Sequence, residues 1–451
     1  MKKSFVKVLA FATTLIIAVG GIAVLGYGNA VHRETGMPIG PDLYSPAPSM
    51  GISAEPLPAP ILIAHAGAAI EGWQGSNSLE AMQNAANLGF RYIELDMLTS
   101  SDGEIVMTHL WHHISNRIPG IRNGIMTHEE FMSHRLFGHF TTIDLDGLIG
   151  FLRDNPEPRI ITDTKDTDYA ALYAIAHYFP QYRNRFIAQA YCFESVARIR
   201  ALGFEDIILT IYMMPLELRN PAVIHQFAVD ESLYAVAMPE YFVVSSFVDH
   251  LNFGEMRYIV HTIDSAAEAA TLYKMGFYAI YTGFLAYDGD GHVVEVPLPI
   301  NDHVNRIDAN VQWLGDVPEA MLYSLGLPVY VRNGEAVPVR ENLMTAPFIS
   351  PITGLVYLPA RHFEAYTERM DWMPRERVLH ITRDGVDYIA LGEDYDLFIY
   401  RDMLFISEDV VRNIFSFEVL RRENYIIVIS EQRNEVEINN IFNIAEILFS
   451  R

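Results

Sequence analysis

The stretch ILIAHAGAAIEGWQGSNSLEAMQNAANLGFRYIELDM, from Ile61 to Met97, contains one complete strand–helix–strand unit. Its two ends, ILIAH and RYIELDM, are short apolar runs, and the segment SNSLEAMQNAANLG between them has the apolar spacing of a helix. A strand that is followed by a helix and a second strand predicts parallel pairing, because the helix carries the chain back to the same edge of the sheet.

Further apolar runs continue this pattern to about Asp288, and helix-period segments separate most of them. These runs are RIITD, RFIAQA, DIILTIY, LYAVAM, RYIVHT and FYAIYT. A short strand, EIVMTH, follows the second run as a hairpin-like insert. Eight strands that alternate with helices predict an α/β fold, a (β/α)8 TIM barrel over residues 61–290. An open doubly wound sheet is the alternative, but it lacks support because the first run is not followed by a Gly-rich phosphate loop.

The N-terminal segment predicts a location outside the cytoplasm. Three lysines precede the apolar run Val8–Tyr27, so residues 1–30 are interpreted as a signal peptide or an uncleaved membrane anchor. Residues 31–60 are rich in proline and are interpreted as a linker. We therefore expect a protein that is secreted or held at the membrane or cell envelope.

The C-terminal part differs in texture from the predicted barrel. Residues 291–324 are interpreted as a connector and residues 325–451 as an α+β accessory domain. Val356–Ile381 aligns with Leu404–Ile429, 48 residues further on, and each copy has the pattern of a strand, a helix-like stretch and a hairpin.

Charge and cysteine content exclude several classes of protein. The 451 residues carry 32 basic and 56 acidic side chains, a net charge of −24, which argues against nucleic acid as a partner. The single cysteine, Cys192, excludes an intramolecular disulfide framework and a Cys-rich zinc site.

Acidic side chains mark the ends of two predicted strands. Glu94 and Asp96 are two residues apart and therefore share one face of a strand, and Asp163 ends the strand RIITD. Adjacent anions repel unless a cation joins them, and oxygen ligands favour Mg²⁺ or Ca²⁺ over zinc. The alternative is a solvated pair at a strand edge.

Other polar side chains follow predicted strands at the same rim. His65 and His109 can serve as a general acid and base near neutral pH, although a lone histidine is more often structural. Lys165, in a chain with five lysines, can offset a phosphate charge. Gln189, Tyr191 and His261 end later strands and are candidates for contact with a substrate.

These residues resemble a known family. The string IAHAGAAIEGWQGSNSLEAMQNAANLGFRYIELDMLTSSDGEIVMTHLWH (Ile63–His112) is similar to the first half of the glycerophosphodiester phosphodiesterase domain, a TIM barrel of the phosphatidylinositol-phospholipase-C-like phosphodiesterases. The later strings TDTKD and IVHTIDSAAEAATLYKMGFYAIYTGFL resemble its acidic-x-Lys strand and its last two strands.

The resemblance implies an activity and a set of site residues. It implies a hydrolase of glycerophosphodiesters or phospholipid head groups, in which a divalent cation is bound by Glu94, Asp96 and Asp163. It implies His65 and His109 as the acid and base, with Lys165 and Asn77 near the phosphate. A neighbouring hydroxyl of the substrate would attack phosphorus, and water would then open the cyclic phosphate.

The chain departs from the family pattern at several positions. Ala66, Ser76 and Leu110 stand where the family usually has Arg, Glu and Asp, and the late Thr-Asp pair is Thr282-Gly283. The missing Arg removes a bidentate grip on phosphate. Two alternatives therefore remain open: a lipid phosphodiesterase similar to the sphingomyelinase D or phospholipase D enzymes, and a surface binding module without catalysis.

The C-terminal region carries a second resemblance. The stretch APFISPITGLVYLPARHFEAYTERMDWMPRERVLHITRDG is similar to the small stalk domain at the N-terminus of copper amine oxidases. That likeness implies spacing or surface attachment and no copper chemistry.

Overall fold

The computed structural model describes residues 61–164, 169–215, 218–243, 247–297, 299–315, 317–340, 344–392, 394–401 and 403–449. The predicted leader and linker, residues 1–60, and the predicted phosphate ligand Lys165 lie outside these residues. Within the described ranges, we find no helix that is both long and apolar enough to cross a membrane.

The first part of the described chain contains a series of short strands. They are β1 (Ile61–Ala64), β2 (Tyr92–Thr99), β3 (Ile105–Met107), β4 (Arg135–Leu136), β5 (Phe140–Thr141), β6 (Arg159–Asp163), β7 (Phe186–Ala190), β8 (Ile207–Thr210), β9 (Ala235–Pro239), β10 (Tyr258–His261), β11 (Ala279–Thr282), β12 (Leu285–Tyr287) and β13 (Val293–Glu295).

Eight of the strands described above close into a parallel barrel. Their order is β1-β11-β10-β9-β8-β7-β6-β2, and β2 pairs again with β1. The predicted TIM barrel and its strands are therefore confirmed. The insert strand β3 pairs antiparallel with β2, as expected for a hairpin.

Helices cover the outside of the barrel between the strands. They are α1 (Leu79–Asn87), α2 (His128–Ser133), α3 (Leu145–Asp154), α4 (Ala170–Tyr178), α5 (Phe193–Ala201), α6 (Pro221–Asp230), α7 (Glu240–Val243) and α8 (Ala266–Met275). Local sequence determines several of their starts. The side chains of Ser78 and Asp144 accept hydrogen bonds from the first turns of α1 and α3, which satisfies backbone donors that the helix itself leaves unpaired.

Short 3-10 helices occupy several connections. They span His65–Gly67, Trp111–Asn116, Pro180–Arg185, Val248–His250 and Ala360–Tyr366.

Alternate side chains along each barrel strand point inward and fill the barrel. Ile63, Ile161, Ile187, Ile208 and Ile259 belong to one buried cluster inside it. The residue two positions further along each strand points to the same interior, nearer the carboxyl end. Polar side chains at those positions are therefore brought to one rim.

The remaining part of the chain is rich in sheet. Its strands are β14 (Met321–Ser324), β15 (Val329–Arg332), β16 (Glu335–Pro338), β17 (Phe348–Ile349), β18 (Val356–Pro359), β19 (Arg369–Met373), β20 (Val378–Arg383), β21 (Val386–Leu391), β22 (Leu397–Tyr400), β23 (Met403–Ser407), β24 (Glu418–Arg422) and β25 (Tyr425–Ile429). Its helices are α9 (Ile300–Leu314), α10 (Glu408–Phe415) and α11 (Glu435–Phe449).

The two sequence repeats have matching local structures. In the first, β18 leads into the 3-10 helix Ala360–Tyr366 and the β19–β20 hairpin, and in the second, β23 leads into α10 and the β24–β25 hairpin. β18 and β23 pair with each other. β14, inside the predicted connector, pairs with β15 and β25, so this sheet begins before residue 325. The division into domains stays a prediction.

The C-terminal part packs against two segments that belong to the barrel. One hydrophobic cluster joins Trp73, which follows β1, to residues of the insert after β3 and to the C-terminal sheets. The guanidinium of Arg401 lies over the rings of Trp73 and Phe137, 5.1 and 4.9 Å from their centres. The hydroxyl of Ser350 donates a hydrogen bond to the carbonyl of Gly120 in the insert. Both segments are therefore supported by the C-terminal part.

Candidate active site

Three carboxylates meet at the carboxyl end of the barrel strands. Glu94 and Asp96 lie on β2, and Asp163 is the last residue of the neighbouring strand β6, in direct register with Asp96. Each of the three can offer an oxygen that lies within 4.8 Å of the other two. Only 1% of Glu94 and 2% of Asp96 is exposed. The structure thus brings together the three residues that the sequence predicted as metal ligands.

Hydrogen bonds orient each of these carboxylates. The backbone N–H of Ala66 donates to Oε2 of Glu94 at 2.8 Å, and Nδ2 of Asn77 donates to Oδ2 of Asp96 at 2.9 Å. The hydroxyl of Tyr191 donates to Oδ1 of Asp163. Ligand carboxylates are commonly held in this way by surrounding donors.

Asn77 and Tyr191, which the sequence predicted to lie at the substrate, hydrogen-bond to two of the carboxylates. Oδ1 of Asn77 also accepts the backbone N–H of Asp96 at 2.9 Å, so both ends of its amide hold the same residue. Their contact with a substrate stays a prediction.

The three carboxylates together suit a hard divalent cation. Buried anions this close to one another repel, and burial removes the water that would screen them. A cation relieves that repulsion, and a set of oxygen donors suits Mg²⁺ or Ca²⁺. Glu94, Asp96 and Asp163 would hold such an ion. Which ion they would take stays a prediction.

The two predicted acid–base histidines follow β1 and β3. Nε2 of His65 lies 3.9 Å from Oε2 of Glu94, and 40% of the His65 side chain is exposed. His109 is half-buried and lies two residues beyond β3. The backbone N–H of the preceding residue, Thr108, donates to the carbonyl of Asp96 at 3.1 Å, which ties this segment to the acidic end of β2.

Gln189 and His261 also lie at the ends of barrel strands. The hydroxyl of Thr210 donates to Oε1 of Gln189, which is 5% exposed. The ring of His261 packs edge-on against Tyr212 and Tyr281, with ring centres 5.5 and 6.0 Å apart. Their contact with a substrate stays a prediction.

Sequence reasoning missed Tyr281. It lies two residues after Ala279 on β11, so it faces the barrel interior, and it is 3% exposed. Burial raises its pKa well above the usual value, and the negative charges of Glu94 and Asp163 act in the same direction. The phenol therefore keeps its proton at neutral pH. The two-residue alternation along FYAIYT was the signal that could have identified it.

Arg117, from the insert, was also missed. Its Nε donates to the carbonyl of Gly75 at 3.0 Å, in the loop that leads to Asn77. Burial lowers its pKa, and the negative charge of Asp96 opposes that shift. Asp96 therefore lies within electrostatic range of an arginine, although the position after His65 carries Ala66. Local pattern offers no signal for Arg117 because the insert is irregular.

The Thr282-Gly283 pair lies between Gln74 and Asp264. A Cβ at Gly283 would lie 2.8 Å from Oε1 of Gln74. Its backbone N–H donates to Oδ1 of Asp264 at 2.7 Å, and the hydroxyl of Thr282 donates to the same oxygen at 2.9 Å. Gln74 is exposed, so its side chain can move aside for a longer residue at position 283.

Residues 65–116 match the model of the glycerophosphoryl diester phosphodiesterase family. The matched stretch contains His65, Glu94, Asp96 and His109. The resemblance to this family is therefore confirmed over these residues. The resemblance of the C-terminal region to the copper amine oxidase stalk domain stays a prediction.

Solved structures of glycerophosphodiester phosphodiesterases are similar to part of this chain. A phosphodiesterase from Oleispira antarctica, in complex with the product sn-glycerol-3-phosphate, is 17% identical with a TM-score of 0.41, over 50% of this chain and 93% of that one. The enzyme from Parabacteroides distasonis is 17% identical with a TM-score of 0.39, over 50% and 94%. The enzyme from Thermotoga maritima is 17% identical with a TM-score of 0.39, over 49% and 94%. Among curated proteins, we find no match to this chain.

Proposed function

We propose that this protein is a metal-dependent phosphodiesterase that hydrolyses glycerophosphodiesters or phospholipid head groups. The observation that carries the proposal is the meeting of Glu94, Asp96 and Asp163 at the carboxyl end of the barrel, with His65 beside them. In TIM-barrel enzymes the chemistry takes place at this end. The family match over residues 65–116 supports the same class of reaction.

The site residues divide the work of phosphodiester cleavage. His65 and His109 exchange the roles of general base and general acid: one removes the proton of the attacking hydroxyl and the other protonates the leaving alcohol. Oε2 of Glu94 lies 3.9 Å from Nε2 of His65, which places this imidazole beside the carboxylates. A cation held by the carboxylates would stabilise negative charge on the phosphoryl oxygens.

We further propose that the enzyme works outside the cytoplasm, either secreted or attached to the membrane through its N-terminal segment. The support is the charge and hydropathy pattern of residues 1–30. Cell fractionation with an antibody to the C-terminal part tests this point, and recovery of the protein in the cytoplasm would contradict it.

The activity is tested with the purified protein and a panel of phosphodiesters. The panel holds glycerophosphocholine, glycerophosphoethanolamine, lysophosphatidylcholine and sphingomyelin, each with Mg²⁺, with Ca²⁺ and with chelator. We expect release of a phosphomonoester that stops on chelation. His65→Ala and His109→Ala should each lower turnover at least about 100-fold, whereas His177→Ala, on the exposed side of α4, should have no effect.

The outcomes separate the alternatives. Release of choline from sphingomyelin and lysophosphatidylcholine, with none from glycerophosphocholine, would favour the reaction of the sphingomyelinase D enzymes. Tight binding of phosphodiesters without turnover would favour a binding module. This alternative is tested because Ala66 has no side chain that could bind phosphate. An active protein that tolerates both histidine substitutions would contradict the assigned roles.

A further inference from the structure

Tyr281 carries a buried hydroxyl that has no hydrogen-bond partner among the described residues. The residue lies on β11 in register with Ile63 of β1, within the cluster of side chains that fills the barrel. Only 3% of it is exposed. A buried donor of this kind is costly, and native proteins rarely leave one unsatisfied.

The surroundings of Tyr281 place its ring at the candidate active site. Its ring centre is 6.5 Å from that of His65 and 6.0 Å from that of His261, and both contacts are edge-on. Glu94 and Asp163 lie near enough for their charges to act on its hydroxyl. The ring therefore stands among the proposed acid–base and metal-binding residues.

The other side chains of this barrel cluster do not need a hydroxyl. They are isoleucines and alanines, apart from Tyr281, and a phenylalanine would supply the same apolar ring. The oxygen thus adds nothing to the packing that the structure describes. An acceptor that enters with a ligand would satisfy it.

We propose that the Tyr281 hydroxyl donates a hydrogen bond to a phosphoryl oxygen of the bound substrate. The inference rests on the proposed function, because that function brings a phosphoryl group to the rim beside His65 and the carboxylates. A phosphoryl oxygen is a strong anionic acceptor, and a neutral phenol can donate to it. Tyr281 and the cation would both bind phosphoryl oxygens. The tyrosine would thus partly replace the arginine contact to phosphate that Ala66 cannot make.

The test compares Tyr281→Phe with wild-type protein in the full chain. The control is Tyr258→Phe on β10, which removes a buried hydroxyl that bonds Nδ1 of His225 on the outer side of the barrel. We expect Tyr281→Phe to lower kcat/KM for a glycerophosphodiester by roughly 10- to 100-fold, the usual effect of losing a hydrogen bond to a charged group. Tyr258→Phe should keep kcat/KM and lower only the unfolding temperature.

Phosphorothioate substrates separate contact with the substrate from a structural effect. Sulfur accepts hydrogen bonds poorly, so wild type should lose rate when the oxygen that faces Tyr281 is replaced. The Tyr281→Phe variant should show a smaller loss for that one stereoisomer and an unchanged loss for the other. A merely structural residue would not change the ratio between the isomers.

The affinity for product tests the inference even if the protein shows no turnover. Affinity for glycerol phosphate is measured by calorimetry with Mg²⁺ or Ca²⁺ present. Weaker binding by Tyr281→Phe supports the inference even if the phosphodiester panel shows no turnover, in which case only the proposed function fails. Equal affinities, no binding by the wild type, or equal isomer ratios in an active enzyme overturn the inference.

Discussion

Asp96 and Asp163 face each other across β2 and β6 as direct register partners. Parallel partners point to the same side of a sheet, so the register brings two carboxylates together at the rim, with Glu94 one alternation below. An exchange of one aspartate for asparagine would keep the shape and remove one charge from this group.

We expect Asp163→Asn to lower kcat/KM about 100-fold or more, because it removes a proposed metal ligand. The same change relieves repulsion among the buried carboxylates, so the unfolding temperature in the presence of chelator should rise. Steady-state rates over a titration of Mg²⁺ or Ca²⁺, together with thermal unfolding in chelator, measure both effects.

Asp206→Asn is the matched control for that prediction. Asp206 pairs with Arg159 at the opposite end of the barrel, so its loss should leave the activity and the metal requirement unchanged. Full activity of Asp163→Asn, with the same metal requirement as wild type, would contradict the assignment.

Loss of the Arg117 charge should weaken the binding of substrate and strengthen the binding of metal. The Arg117 charge and that of Asp96 attract each other, and Coulomb attraction is stronger between groups that are partly or fully buried. Arg117→Met should raise KM roughly tenfold and lower the metal concentration needed for half-maximal activity, since the carboxylates lose a competing cation.

Two further variants test the charge of Arg117. Arg117→Lys keeps the charge but not the Nε bond to Gly75, and should lie between wild type and Arg117→Met. Arg153→Met, on the exposed side of α3, serves as the control for loss of an arginine elsewhere. If Arg117→Met raised the metal requirement, the charge argument would be wrong.

The sequence could locate the site because a parallel barrel collects all strand ends at one rim. The prediction needed no interatomic distances. It used only the positions of His65, Glu94, Asp96 and Asp163 at the ends of predicted strands. The alternation of two residues per strand face carried that argument. The same alternation points to Tyr281, which was missed because an aromatic residue in an apolar run looks like packing.

Other features of the site could not be predicted from local pattern. Arg117 lies in an irregular insert, where no periodicity indicates which side chains turn inward. The packing of the C-terminal part on this insert joins residues far apart in the chain, such as Gly120 and Ser350. Contacts of that kind depend on the tertiary fold and leave no mark in a single stretch of sequence.

Gly120 tests the contact between the insert and the C-terminal part. Its φ is +77°, and an added Cβ would lie 2.5 Å from Cα of Ser350. We expect Gly120→Ala to lower the free energy of unfolding by about 2–4 kcal/mol, because the backbone strain and the clash add. Gly138→Ala is the control: φ is +86° there, but nothing lies within 4 Å of the added Cβ, so only the strain, about 1 kcal/mol, should appear. Equal losses for the two variants would show that the clash has no effect.

His362 should make the stability of the C-terminal part depend on pH. Burial lowers its pKa from 6.5 to about 3, with the charge of Arg361 acting in the same direction. Its ring stacks on Tyr330, with the centres 4.1 Å apart, and Tyr323 stacks on the same tyrosine. His362 therefore takes up a proton below pH 6.5 in the unfolded chain but only below about pH 3 in the folded chain. The contribution of neutral His362 to the free energy of unfolding is complete above pH 6.5 and falls by up to about 1.4 kcal/mol per pH unit below it.

Chemical unfolding at pH 7.0, 6.0 and 5.0 measures the slope of the unfolding free energy against pH. His362→Asn, which cannot titrate, should show a shallower slope. Parallel slopes for the two proteins would mean that the pKa of His362 is the same in the folded and unfolded chains.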